Sequence, residues 1–250
     1  MSTITAPRRN EIVYLESDGQ PMAENTLQFR WIVTIQGGLD DLFRDHPNVF
    51  VAGDLLWYPV EGDNRLRQAP DAMVVFGRPK GDRGSYRQWQ EEGIAPQVVF
   101  ELLFPRYLRG DLLRKFRFYE QHGVEECYIY DPEDGDFSAW IADNGVLTEV
   151  ETPIGWTSPL LGCRFEMDGV DLQIIRPDGR HFASYLEVCE QREAERLRAD
   201  LESRRADEES RRADEEAHRA DEESRRADEE HAKVSRLLLQ LQAAGISPEL

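Results

Sequence analysis

The feature that most restricts how this chain can fold is the absence of proline and glycine between Phe182 and Ala244. Within this stretch the sequence Arg-Arg-Ala-Asp-Glu-Glu-Ser begins at Arg204 and recurs, imperfectly, as far as His231. A long stretch without helix-breaking residues favours one continuous helix, and a period of seven is typical of a coiled coil. The sequence therefore predicts a heptad-repeat helix over residues 187–243.

Two sets of small residues lie at the core positions of this heptad: Ala206, Ala213, Ala220 and Ala227, and Ser210, Ala217, Ser224 and His231. The spacing continues into Val234, Leu238 and Leu241, where the seam becomes apolar. Acidic and basic residues four positions apart, such as Asp207 and Arg211, each stabilise an isolated helix by roughly 0.2–0.5 kcal/mol. Two alternatives remain at this point. The tail is either a solvated single helix or a coiled coil that makes the protein a homodimer.

Residues 10–186 contain scattered prolines and glycines, and 40% of the whole chain is hydrophobic, which is enough for a core. Apolar periodicity predicts helices over residues 23–45 and 110–122 and strands over residues 49–58, 70–76, 97–104 and 127–130, with further short strands up to residue 175. This order predicts an α/β domain with a mixed central sheet flanked by helices, followed by the long C-terminal helix.

The chain has a formal net charge of -19. This charge argues against a protein that coats nucleic acid nonspecifically, but it does not exclude one that approaches a phosphate through a metal ion. The longest apolar runs are too short to span a bilayer, and no apolar segment follows Arg8 and Arg9 as a secretory signal would require. Three widely spaced cysteines suit a reducing compartment. We therefore expect a cytoplasmic protein without a membrane partner.

Two acidic residues occupy positions where chemistry is plausible. Asp71 follows Pro70 at the start of a predicted strand, and Glu101 is the one acid inside an otherwise apolar strand. A carboxylate buried in such a strand needs a partner or a cation, and carboxylates on adjacent strands can share one magnesium ion. Lys115, in the next predicted helix, could project over the same end of the sheet. The alternative is that Asp71 caps a turn, Glu101 pairs with a buried arginine and Lys115 lies at the surface.

Five segments, taken in order, resemble the Uma-two family of putative bacterial restriction endonucleases: residues 68–76, 93–103, 115–120, 123–126 and 130–132. The first contains the Pro-Asp pair, and the second ends in Val-Val-Phe-Glu-Leu-Leu. This family is similar in fold to the PD-(D/E)XK nucleases. The resemblance therefore implies a restriction-endonuclease-like core over residues 10–186, with a helix, three strands, a helix and a strand around a metal site.

The resemblance also implies roles for individual residues. Asp71 and Glu101 would be catalytic and would bind Mg²⁺ or Mn²⁺. The lysine that usually follows the second acid by two positions is replaced here by Leu103, and the resemblance implies that Lys115 takes its role. Glu24 and Tyr119 are accessory candidates. The chain departs from the family at Phe104, where a serine usually precedes the proline, and this change puts substrate access in doubt.

From these residues we predict a metal-dependent endonuclease that hydrolyses DNA. Basic residues near the two acids are candidate phosphate contacts: Arg78, Lys80, Arg83, Arg87, Arg106, Arg109 and Arg114. The rival prediction is a non-catalytic scaffold that captures a partner through its C-terminal coiled coil. RNA or branched DNA are alternative substrates, because the same metal chemistry acts on any phosphodiester.

Overall fold

A computed structural model describes residues 12–17, 19, 23, 25–104 and 109–243. The chain divides into two units, Met1–Val188 and Cys189–Leu250. Among the described residues, the first unit holds the sheets, two α-helices and the start of a third, and the second unit holds the rest of that third helix. We describe each unit by itself.

The first unit contains the following helices and strands, in chain order: α1 Thr26–Leu42, β1 Val49–Ala52, β2 Trp57–Tyr58, β3 Ala72–Phe76, β4 Tyr86–Arg87, β5 Val98–Leu102, α2 Arg109–His122, β6 Glu126–Asp131, β7 Asp136–Asp143, β8 Val146–Glu149, β9 Arg164–Asp168 and β10 Asp171–Ile175. The main sheet has six strands in the order β1-β3-β5-β6-β7-β8. β5 and β6 run parallel, and the other neighbouring pairs run antiparallel. This confirms the predicted mixed sheet flanked by helices.

The central strand β5 is apolar along almost its whole length because both faces of the sheet are covered. Val98 and Phe100 belong to the same buried cluster as Ile35 of α1. Val99 belongs to a second cluster, which contains Tyr119 of α2. A strand buried on both faces has a continuous apolar run in place of alternating polar and apolar residues. The one acid in this run is therefore also enclosed.

The region predicted as a single strand over residues 49–58 is divided into β1 and β2, which is a correction. The chain bends after β1 at Gly53 and Asp54, and Asp54 adopts a φ of 46°. Past this bend, β2 leaves the main sheet and pairs in parallel with β4, so that Tyr58 lies opposite Arg87. The bend also brings the backbone of Asp54 next to the residue that precedes β3.

Helix α3 spans Tyr185–Ala243, a length of 59 residues, and confirms the predicted C-terminal helix. It begins with a capping box, in which the Ser184 N–H donates to Glu187 Oε2 at 2.7 Å and the Glu187 N–H donates to Ser184 Oγ at 3.3 Å. Side chains from Glu190 to Gln240 are exposed. No helix within the described residues is both long and apolar enough to cross a membrane.

Candidate active site

The candidate site lies at one end of the central strands β3 and β5. These strands are antiparallel neighbours, with Ala72 opposite Phe100, so Asp71 lies opposite Glu101. Side chains alternate along a strand, so Asp71 and Glu101 share the face that α2 covers. A hydrogen bond fixes the pairing, because the Leu102 N–H donates to Asp71 Oδ2 at 2.7 Å.

Glu101 is 1% exposed, and both of its carboxylate oxygens are hydrogen-bonded to α2. Lys115 Nζ lies 2.6 Å from Glu101 Oε2, and the Tyr119 hydroxyl donates to Oε1. Residues four apart share one face of a helix, which explains how both side chains reach the same carboxylate. Lys115 Nζ also donates to the carbonyl oxygen of Ala69 at 3.5 Å.

Asp71 is 7% exposed, and its charge is not fully compensated. Burial, followed by repulsion from Glu101, raises the pKa of Asp71 to about 7. The Lys115 ammonium and the hydrogen bond from the Leu102 N–H lower this pKa, but they do not offset the increase. Two buried carboxylates therefore share one ammonium, an arrangement that favours either a proton or a cation at Asp71.

The donor set at this site fits one hard divalent cation. Among the residues that the structure describes, no group of three or more His, Cys, Asp and Glu side chains could hold a metal ion. Magnesium, however, needs only one or two protein carboxylates, since water and phosphate oxygens complete its shell. Asp71 Oδ1 accepts no hydrogen bond from the described residues, and the Glu101 oxygens retain further lone pairs. A cation there would also relieve the repulsion between the two carboxylates.

A third carboxylate, which the sequence did not single out, lies near Asp71. The Asp54 N–H donates to the carbonyl oxygens of Pro70 at 3.1 Å and Asp71 at 3.4 Å. The charge of Asp54 also contributes to raising the pKa of Asp71. The only local signal was the Gly53-Asp54 pair at the end of an apolar strand, which is also an ordinary turn signal.

Two of the predicted phosphate contacts, Arg78 and Arg83, form ion pairs with the same carboxylate. Nε of Arg78 and Nε of Arg83 each lie 2.8 Å from a carboxylate oxygen of Glu91. Arg78 also contacts Glu92, and the Arg83 guanidinium lies 3.9 Å from the centre of the Phe50 ring. These contacts hold the loop between β3 and β4 in place, and the charges of both arginines are compensated by Glu91 and Glu92. Their contact with phosphate stays a prediction.

The other predicted residues have varied surroundings. Lys80 is exposed, and its positive charge partly offsets the effect of burial, which raises the pKa of Asp40. Arg87 lies in β4, and Arg114 pairs with Asp111 on the surface of α2. Three predicted residues cannot be placed in the site: Glu24 and Arg106 lie outside the described residues, and so does the side chain of Arg109.

One end of the central strands of this mixed sheet therefore carries two buried carboxylates and a lysine. The sequence model of the Uma2 family, described as "Putative restriction endonuclease", matches residues 10–168. The chain belongs to this family. No curated protein matches it.

Several solved structures also match the chain. One is the crystal structure of a protein titled a putative nuclease belonging to DUF820, from Anabaena variabilis. It is 14% identical, the match covers 58% of this chain and 79% of that one, and the TM-score is 0.39. The family assignment rests on the sequence match and not on this similarity.

Proposed function

We propose that this protein is a metal-dependent endonuclease that hydrolyses phosphodiester bonds of DNA. The observation that carries the proposal is the pair of buried carboxylates, Asp71 and Glu101, on adjacent strands with Lys115 Nζ 2.6 Å from Glu101. A structural ion pair needs one carboxylate and one ammonium. The second carboxylate adds an uncompensated buried charge, which costs stability unless a ligand uses it.

In this proposal Asp71 and Glu101 hold one Mg²⁺ or Mn²⁺ ion. Such an ion polarises a phosphodiester oxygen and lowers the pKa of a bound water. Lys115 is the catalytic cation of the chain, and its ammonium positions the attacking water or offsets charge that develops on the phosphate. Tyr119 is a positioning residue, since its hydroxyl donates to the Glu101 carboxylate and holds its orientation.

The proposal divides the chain by role. Residues 10–186 form the nuclease domain, and residues 187–243 form the heptad-repeat helix. DNA is the expected substrate because the family is described as restriction endonucleases. We place the protein in the cytoplasm, where its cysteines would stay reduced and DNA is accessible.

The tail supports a second proposal, a homodimer that could also act as a scaffold. Val234 is 54% exposed, Leu237 is 58% exposed and Leu238 is 40% exposed, so an apolar stripe of the helix lies open at residues 234–241. Apolar residues at heptad spacing favour pairing with a second helix. We therefore propose that two copies associate through this stripe.

The charges that flank the seam confine this association to residues 234–241. On either side of the core positions between Ala206 and His231, the chain carries aspartate and glutamate: Asp207, Asp214, Asp221 and Asp228 on one side, and Glu209, Glu216, Glu223 and Glu230 on the other. Both parallel and antiparallel pairing of two copies would place acid against acid there. This segment is therefore proposed to stay a solvated single helix.

The endonuclease proposal is tested by incubating supercoiled plasmid with the full-length protein and magnesium. We expect nicking that stops when the metal is chelated and in the Asp71→Ala and Lys115→Ala variants. Asp168→Ala, which removes an exposed acid at the end of β9, is the matched control and should nick as the wild type does. Equal nicking by all four proteins would overturn the proposal. Single-stranded RNA and branched DNA, offered in parallel, test the alternative substrates.

A further inference from the structure

A cluster of aromatic rings lies beside the two short strands β2 and β4. The Tyr14 ring packs against Trp89, with centroids 4.9 Å apart, and edge-on against Tyr58 at 5.1 Å. Tyr58 is fully buried, whereas Tyr14 and Trp89 are partly exposed. The cluster therefore presents aromatic surface to solvent next to a buried ring.

Two arginines accompany these rings. The Arg87 guanidinium lies 5.2 Å from the centre of the Tyr14 ring, and the Arg67 guanidinium lies 6.0 Å from the centre of the Tyr58 ring. Their hydrogen bonds go to neutral groups, namely Ser85 Oγ for Arg87 and the Asn64 carbonyl and Tyr58 hydroxyl oxygens for Arg67. Neither has a carboxylate partner among the described residues, although the chain has a net charge of -19.

Arg67 and Arg87 differ in their partners from the two arginines of the loop between β3 and β4. Arg78 and Arg83 lie in the same part of the first unit, and both are ion-paired with acids: each contacts Glu91, and Arg78 also contacts Glu92. Arg67 and Arg87 are partly exposed and held by aromatic and neutral groups, so their charges remain available to an anion. A guanidinium beside an aromatic ring can contact a phosphate and stack on a base.

Short chains of contacts connect this surface with the candidate active site. The Tyr119 ring, whose hydroxyl binds Glu101, lies parallel to the Trp57 ring with centroids 6.4 Å apart. Trp57 Nε1 donates to Gln88 Oε1 at 3.1 Å, and Gln88 lies between Arg87 and Trp89 in the sequence.

A second connection runs through the strand-like segment before Asp71. Lys115 donates to the carbonyl oxygen of Ala69, two residues after Arg67. Gln68, between them, forms two backbone hydrogen bonds with Trp57, of 2.7 and 3.2 Å. The aromatic cluster and its arginines are thus fixed to the same backbone segments that hold the acids and the lysine.

We propose that the aromatic–arginine surface, formed by Tyr14, Arg67, Arg87 and Trp89, binds an unpaired nucleic-acid strand next to the candidate active site. Exposed aromatic rings stack on bases, which are accessible in a single strand and already stacked in a duplex. Guanidiniums beside the rings contact the phosphates between those bases. The placement of the strand relative to the scissile bond rests on the proposed function, whereas the binding itself does not.

The test is fluorescence anisotropy with a labelled single-stranded DNA oligonucleotide, in chelator and at low salt, so that cleavage is not needed. Trp89→Ala should weaken binding roughly five- to a hundredfold, the range expected for the loss of one stacked base. The logarithm of affinity falls linearly with the logarithm of salt concentration, and Arg67→Gln and Arg87→Gln should each make this negative slope shallower by about 0.7. Trp89→Phe, which keeps a ring, should recover most of the affinity.

Arg164→Gln is the matched control, because it removes the same charge from an exposed arginine paired with Glu166 in the β9–β10 hairpin. Thermal unfolding of every variant checks that the surface is still folded. A single-stranded RNA of the same sequence shows whether the surface prefers DNA or RNA. Weaker binding of either strand by the Trp89 and arginine variants than by the wild type supports the inference. A wild type that binds neither strand would overturn it.

Two further outcomes overturn the inference. One is that folded Trp89→Ala and Arg87→Gln bind as Arg164→Gln does. The other is that they lose as much affinity for a blunt duplex as for the single strand. The proposed nuclease activity fails in a different experiment, when wild type and magnesium leave plasmid intact. A protein that binds strands through this surface but does not nick would retain the inference and lose the activity.

Discussion

Each of the two units contains a glutamate beside a basic residue, but the pair is buried in the first unit and exposed in the second. Glu101, in the first unit, is 1% exposed and bonded to a lysine and a tyrosine. Glu222, in the second unit, has a side chain that is 48% exposed, and it lies 3.8 Å from Arg226 one helical turn away. Water screens the attraction between Glu222 and Arg226 almost completely, whereas Glu101 and Lys115 interact in a site from which most water is excluded. The comparison teaches that burial, and not the number of charges, determines which acids need a partner or a ligand.

The largest expected effect comes from removing the cation of the buried pair. Lys115→Met leaves Glu101 buried without its ammonium, so we expect the free energy of unfolding to fall by about 3 kcal/mol. Arg226→Met removes the corresponding cation in the tail and should change it by less than about 0.5 kcal/mol. Urea unfolding measures both, followed by tryptophan fluorescence for the first unit, which holds all five tryptophans, and by far-UV circular dichroism for the helical tail. Equal changes would show that the two units do not differ in this way.

The second effect follows from the pKa of Asp71, which is raised to about 7 in the metal-free protein. The folded state keeps a proton that the unfolded chain has already released, so wild-type stability should decrease as pH rises from about 4 to about 7. Asp71→Asn removes the charge but can still accept the Leu102 hydrogen bond. We therefore expect this variant to be more stable than wild type by up to about 3 kcal/mol near neutral pH, and not at acidic pH.

Urea unfolding in chelator, at about pH 4 and about pH 8, measures this difference. Magnesium should then raise the stability of the wild type near neutral pH and leave Asp71→Asn unchanged. The same pH dependence in both proteins would show that Asp71 is not the group that titrates.

The smallest expected change in stability concerns the tail, where the effect is on association. Leu238→Glu should convert a dimer into a monomer without altering the unfolding of the first unit, because it removes apolar surface from the 234–241 stripe. Ser224→Glu changes the same heptad position within the acid-flanked segment and should not change the mass. Light scattering after gel filtration measures both. A monomeric wild type, or dissociation by Ser224→Glu alone, would contradict the proposed location of the contact.

Much of the fold was predictable because long segments leave few alternatives. Residues 183–243 contain no proline or glycine, and β5 is apolar on both faces, which is typical of a central strand. The separation of β2 from β1 was not predictable. Its two residues, Trp57 and Tyr58, give no periodicity, and their pairing with Tyr86 and Arg87 depends on the bend at Asp54.

The candidate site shows the same distinction. Asp71 and Glu101 could be expected to lie close together because they belong to neighbouring strands, and Lys115 because it lies on the next helix. The antiparallel pairing of β3 and β5 then brings the start of one strand next to the end of the other. The contribution of Asp54 to the electrostatics of Asp71 could not be anticipated, since it arises where the chain bends. The aromatic–arginine surface brings together three short segments of the chain, and a pattern distributed in this way has no local signature.

The measurement that tests the account most directly is the anomalous difference map of a crystal soaked in Mn²⁺. We predict one strong peak within about 2.0–2.3 Å of carboxylate oxygens of both Asp71 and Glu101, with the Lys115 ammonium in the adjoining shell, and no such peak in Asp71→Asn crystals. A map with no peak at this pair in the wild type, or with a peak that persists in Asp71→Asn, would contradict the assignment of these acids as the metal ligands.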